Sequence, residues 1–177
     1  FFTGSAAFTS DGQRLIASSV DGSATVWDLA TETGLLTFGL DRPSADPDNA
    51  DVSASDPLAD RPSGTDLLAI DVSSDGELIA TASADGVAKV WDAATGEERF
   101  TVRSGPGVND VDWSPDGDVL ATASVEGDAG LVTIVDRSGE EVAVLREESG
   151  VRFGSVHFSP DGRLLLTSRL TTGRADP

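Results

Sequence analysis

The chain has 177 residues, 31 of them acidic against 12 basic, and a formal net charge of −19 at pH 7; a surface of that sign repels phosphate backbones and sets nucleic acid aside as a partner. With no cysteine and a single histidine, His157, it has no disulfide framework or thiolate site, and zinc centres and His-based catalysis are nearly removed. No run approaches the roughly 20 apolar residues needed to cross a bilayer, and no basic-then-apolar start resembles a signal peptide, so a cytoplasmic location is expected.

In chain order, a partial opening strand is predicted at Ala6–Phe8, followed by Arg14–Ser19, Ser23–Asp28 and Leu35–Gly39. Residues 40–66 then break the pattern. Seven aspartates (Asp41, Asp46, Asp48, Asp51, Asp56, Asp60, Asp66) are interspersed with Pro43, Pro47, Pro57 and Pro62, and little there can bury apolar area, so a solvated loop is expected. A second set of strands follows at Leu67–Val72, Glu77–Ser83, Ala88–Asp92 and Arg99–Val102, and a third at Val108–Trp113, Val119–Ser124, Leu131–Asp136 and Glu141–Leu145. The last two are Phe153–Phe158 and Leu164–Ser168. Separators such as Ser73-Ser74-Asp75-Gly76 and Ala84-Asp85-Gly86 carry the Asp and Gly that tight turns need.

The separators recur in phase. Ser-Asp-Gly stands at 10–12 and 74–76, and Ser-Pro-Asp-Gly at 114–117 and 159–162; Trp27 and Trp91 each lie sixteen residues after their turn aspartate. A period near forty with short apolar runs means an array of small sheets. Phe158-Ser159-Pro160-Asp161-Gly162, Trp113-Ser114-Pro115-Asp116-Gly117, Leu78 to Gly86, and Val90-Trp91-Asp92 together resemble the WD40-repeat β-propeller family. The resemblance implies an all-β propeller of four-stranded antiparallel blades, with about three and a half blades present: blades at 1–39, 67–103 and 104–146, the acidic insertion at 40–66, and a partial blade at 147–177. Because the chain opens on Phe1 and stops at Pro177 partway through a repeat, it reads as an excerpt whose remaining blades lie in the same parent chain. Unpaired blade edges are then expected to make residues 1–177 associate.

The resemblance also implies a polar network within each blade, here without the family's Gly-His pair. Ser63, Ser104 and Ser149 take the His place, Thr81 and Thr122 the second-strand place, Asp21 and Asp85 the turn, and Trp27 and Trp91 the third strand. The equivalents Ala17 and Val135 lack the needed group, so only the second blade keeps Thr81, Asp85 and Trp91 together. These residues are read as structural. Trp113, in the aromatic place that Phe8 and Phe158 hold elsewhere, is read as between-blade core.

Candidate chemistry is sparse. Asp46-Pro47-Asp48-Asn49-Ala50-Asp51 lacks the Gly and Glu of a calcium loop, and Ser104-Gly105-Pro106-Gly107 lacks a phosphate-binding Lys. His157, Ser159 and Asp161 lie too close along one strand to form a triad. No cofactor or metal is expected. The function expected is a non-catalytic protein–protein interaction scaffold. Its partner contacts are expected in the connections between blades, at Arg103, Asn109, Asp110, Arg146, Arg152 and Phe153. The Arg-rich, Lys-poor composition resembles WD40 tails of high-GC bacteria, where a propeller follows a signalling domain as sensor or regulator. The alternative is a propeller hydrolase or lactonase with a channel metal; it needs His, Asp or Glu at equivalent inner-strand places, and His157 is read as standing alone. The net charge reads first as a solvated surface and second as a preference for basic partners.

Overall fold

Four repeats of one turn organise the chain. In each, a hydroxyl two residues before the aspartate donates to that carboxylate: Thr9 to Asp11 (2.6 Å), Ser73 to Asp75 (2.6 Å), Ser114 to Asp116 (2.5 Å) and Ser159 to Asp161 (2.6 Å). The same carboxylate oxygen accepts the backbone N–H two residues on, at Gln13, Glu77, Asp118 and Arg163. The hydroxyl in turn accepts the N–H that opens the next strand, at Arg14, Leu78, Val119 and Leu164. The bond from the hydroxyl residue, strengthened by the backbone donor, holds the carboxyls of Asp11, Asp116 and Asp161 below the usual carboxylate range. A second aspartate closes the third strand in the same way: Asp28, Asp92 and Asp136 each accept two backbone N–H groups of the following turn.

The computed structural model describes residues 5–18, 22–39, 67–148 and 150–171. These form fourteen strands and no helix: β1 Ala6–Phe8, β2 Arg14–Ser18, β3 Ser23–Asp28, β4 Thr33–Gly39, β5 Leu67–Val72, β6 Leu78–Ser83, β7 Val87–Asp92, β8 Glu98–Arg103, β9 Val108–Trp113, β10 Val119–Glu126, β11 Ala129–Asp136, β12 Glu141–Arg146, β13 Val151–Phe158 and β14 Leu165–Thr171. They pair antiparallel in chain order as three four-stranded sheets and one two-stranded sheet. First strands of successive sheets pack against one another, β1 on β5, β5 on β9 and β9 on β13. The insertion 40–66, and with it Ser63, as well as Asp21 and Ser149, lies outside the described residues.

Between the sheets lie three apolar layers. Ile16, Ala24, Val26 and Phe38 of the first sheet meet Ile70, Ile79 and Trp91 of the second. Ala80, Ala82, Val90 and Val102 of the second meet Val108, Val111, Trp113, Leu120 and Val135 of the third. Ala121, Ala123 and Val132 of the third meet Phe153 and Val156. The second and third sheets are covered on both faces, which explains why β6 is buried at every position and its sequence is Leu-Ile-Ala-Thr-Ala-Ser without an outward charge.

The β10–β11 hairpin is longer than the sequence suggests. β10 and β11 run to Glu126 and Ala129, beyond the expected ends at Ser124 and Leu131, because Gly127 at φ 65° allows a two-residue turn with Asp128.

Candidate functional site

The hydroxyls expected in the blade network lie inside the sheets. Trp91 Nε1 donates to Thr81 Oγ1 (3.0 Å), both groups buried, with Lys89 Nζ 5.3 Å above the indole ring. In the third sheet Ser104 Oγ and Thr122 Oγ1 lie 3.1 Å apart and fully buried, and Thr122 also donates to the Thr133 carbonyl. Asp85 accepts the Val87 N–H and so caps its own hairpin. Trp27 departs from its expected place in the network. Its second-strand neighbour is Ala17, and the indole is 42% exposed against 5% for Trp91. The physical reason is that Trp91 lies beneath Phe38 of the preceding sheet (centroids 5.0 Å apart), whereas no described sheet precedes Trp27. Trp113 is buried as expected, with an indole N–H that meets no acceptor.

A second set of polar residues lies on the first strands; of these, Asp71 and Asp112 were left out of the sequence reading and Asp110 was expected as a partner contact. Asp71 Oδ2 accepts the Trp113 N–H (2.6 Å), and Asp112 Oδ2 accepts the Phe158 N–H (2.6 Å). Two residues earlier on the strand, Ser5 Oγ accepts the Ile70 N–H (3.1 Å) and Asp110 Oδ2 the Val156 N–H (2.9 Å). Each sheet thus reaches across to the first strand of the next and caps a donor that no ladder satisfies. The signal was present: Asp71, Asp112 and His157 each stand four residues before a turn aspartate. The expectation that His157 stands alone, without equivalents, is therefore corrected. In place of a metal-binding arrangement, the carboxylates are bound to backbone N–H groups, and His157 Nδ1 lies 3.4 Å from Asp112 Oδ1. Among the described residues no group of three or more His, Cys, Asp or Glu side chains is arranged to hold a metal ion.

Burial pushes the Asp71 carboxyl up to about 6, with Asp112 and Asp110 adding to the rise and the N–H groups of Trp113 and Val72 opposing it. Burial also raises Asp110, against the Val156 N–H and His157. For Asp71 the folded state therefore holds a proton over roughly pH 4–6 that the unfolded chain has already lost. Its contribution to stability is present below that window and falls as pH rises through about 6. Asp71→Asn keeps an acceptor for Trp113 and removes the charge. Relative to the parent, the variant is expected to be equally stable near pH 4 and about 1–2 kcal/mol more stable above pH 7. Denaturant melts across pH check this, and a constant difference would show that Asp71 does not titrate on folding.

The expected partner contacts divide. Arg103, Arg146 and Arg152 are exposed, at one end of the sheets beside the β6–β7 and β10–β11 hairpins, with Arg146 paired to Glu126. Phe153 does not belong with them. It is 4% exposed, packed on Gly130 and the third sheet, because its position on β13 faces the preceding sheet. Asn109 and Asp110 lie within β9 and are directed at the fourth sheet: Asn109 Nδ2 donates to the Phe153 carbonyl (2.8 Å), and Asp110 caps Val156. At the opposite end of the sheets a groove of about 620 Å³ is lined by Arg14, Glu77, Asp92, Arg99, Phe100 and Arg137. Its arginines are largely paired, Arg99 with Asp92 (2.9 Å) and Arg137 with Asp75 (2.9 Å), Glu77 (3.3 Å) and the Gly117 carbonyl (3.0 Å).

The family model described as WD domain, G-beta repeat, matches residues 4–28, 61–92 and 97–130, together just over half of the chain. No curated protein matches the sequence. None of the described elements is a helix long and apolar enough to cross a membrane.

Proposed function

The chain belongs to the WD40-repeat family, whose members are generally protein-interaction modules, and from that premise we propose that it is a non-catalytic scaffold that binds a protein partner. The observation that supports this reading most directly is the division of labour among its charged side chains. The first-strand carboxylates are bound to neighbouring sheets, while Arg103, on the packed second sheet, and Arg152, on the fourth, stand exposed at one end of the sheets. Rigid sheets presenting a few arginines give binding energy without loss of scaffold entropy, and arginine is a frequent interface anchor. The role we propose is that of a sensor, regulatory or assembly module within a larger protein.

The test is to isolate a stoichiometric partner with the intact chain and measure its affinity for the parent and for Arg103→Ala and Arg152→Ala. Each substitution is expected to weaken binding about tenfold, or about 1.4 kcal/mol, with no change in melting. Affinity indifferent to both would remove the rim from the account. Metal-dependent hydrolytic turnover by the purified chain would replace the scaffold with the propeller-enzyme alternative.

A further inference from the structure

The geometry points to a binding site for an extended acidic peptide in the groove at the Asp-Gly turn end of the sheets, with Arg14 and Arg99 as its carboxylate anchors. The groove runs across the end of the second sheet. Arg14 at the start of β2 stands on one side and Arg137 of the β11–β12 turn on the other, with Leu78 of β6 and Arg99 and Phe100 of β8 between them. At about 620 Å³ it has the size of a ligand site, and its length across three sheets suits an extended chain. It lies at the opposite end of the sheets from Arg103 and shares no residue with the contacts proposed above.

The chemistry that fits follows from which polar groups are already engaged. Asp92 is occupied on both oxygens: Oδ1 accepts the Ala94 and Thr95 N–H groups, and Oδ2 accepts Arg99 Nη2 (2.9 Å). Arg137 is held on both arms, Nη1 by Asp75 and the Gly117 carbonyl and Nη2 by Glu77. Arg99 uses a single nitrogen, and its side chain is 58% exposed. Arg14 stands near Asp11 and Asp28 without pairing to either among the described residues, because each of those carboxylates is bound to its own turn. Of the two lining carboxylates only Glu77 is loosely held, 73% exposed and tied to Arg137 by one bond of 3.3 Å. Free donors therefore outnumber free acceptors, so the ligand must bring oxygens, and a guanidinium offers paired N–H groups to a carboxylate. Leu78 and Phe100 belong to the apolar layer between the second and third sheets and give the groove an apolar strip. A bare anion leaves that strip in water. A chain with glutamate beside leucine covers it while its carboxylates meet the arginines. The net charge of −19 opposes the approach of such a chain, so affinity comes from contact inside the groove and not from attraction at a distance.

The test is calorimetric titration of the intact chain with a short end-capped peptide, Gly-Glu-Leu-Glu-Gly, beside its counterpart Gly-Gln-Leu-Gln-Gly and with inorganic phosphate as competitor. Saturable binding is expected for the glutamate peptide alone. Arg14→Gln and Arg99→Gln are each expected to weaken it about fivefold, while Arg103→Gln, at the other end, leaves it unchanged. Glu77→Gln removes the internal competitor for Arg137 and is expected to strengthen binding about threefold, a gain that no folding defect produces. The proposal is overturned if the parent shows no saturable binding, if the glutamine peptide binds as well, or if Arg14→Gln and Arg99→Gln both bind like the parent. Displacement of the peptide by an equal concentration of phosphate would also overturn it, making the groove a site for a free anion. Binding lost only in Arg103→Gln would place the peptide at the opposite end and leave the groove empty.

Discussion

Gly105→Ala lowers the stability of the chain by about 3 kcal/mol or more, and Gly86→Ala does so to a similar degree. Both glycines stand where three segments stack at one end of the second and third sheets. A Cβ at Gly86 (φ 88°) would lie 1.9 Å from the Gly105 carbonyl oxygen, and one at Gly105 (φ 108°) 2.3 Å from the Val125 carbonyl oxygen. The obstacle in each case is backbone held by sheet ladders, so no rotamer change relieves it. Relief requires the β8–β9 connection to lift away, and with it the bond between the Ser104 N–H and the Gly86 carbonyl (3.4 Å) and the buried Ser104–Thr122 pair. Gly127 is the internal control: its φ is also positive (65°), but a Cβ there meets nothing within 4 Å. Gly127→Ala therefore shows the left-handed strain alone, roughly 1–2 kcal/mol. At about 2–4 °C per kcal/mol for a chain of this size, thermal melts separate the two classes. If Gly105→Ala and Gly127→Ala melt together, the three segments do not stack.

Much of the fold was legible because one chemical unit repeats. A hydroxyl, an aspartate and a glycine in fixed order can satisfy the same set of turn donors wherever they occur, and so they mark β1–β2, β5–β6, β9–β10 and β13–β14 alike. Strand ends fixed by that turn agree closely, as at Val72, Trp113 and Phe158. The poorly marked ends lie where no such unit stands. The Glu126-Gly127-Asp128 stretch has the composition of a loop, yet a single glycine at positive φ continues the ladder through it. Side-chain environment was less legible than strand position. Phe153 resembles an interface anchor in composition, but strand alternation directs it into the third sheet. Trp27 and Trp91 occupy one sequence position and differ in burial because burial depends on whether a sheet lies in front, which no residue of the repeat itself encodes. Among the first-strand aspartates, Asp71 and Asp112 were missed, and Asp110 was read as a partner contact, for a related reason. Their partners are backbone N–H groups about forty-two to forty-six residues away, and a side-chain motif cannot display a backbone donor.

The largest single side-chain effect is expected at Trp91. Truncation to alanine removes a side chain buried against Phe38 and Ile79 and leaves Thr81 Oγ1 without its indole donor. For a buried Trp→Ala change the expected loss is about 3–5 kcal/mol. Two milder changes divide that figure. Trp91→Phe keeps most of the apolar area and removes the donor, while Thr81→Val keeps the volume and leaves a buried N–H unsatisfied, at a cost of about 1–3 kcal/mol. If the 3.0 Å bond carries its share, the double variant recovers about 1 kcal/mol of the sum of the singles, as a coupling energy in a double-mutant cycle. Trp27→Ala is the contrast. With Ala17 in place of the hydroxyl and the ring partly in water already, its loss is expected to stay near 1 kcal/mol. Equal losses at Trp27 and Trp91 would mean that the indole stabilises its own sheet alone, independent of the sheet before it, and the packing order from sheet to sheet would lose its main energetic support.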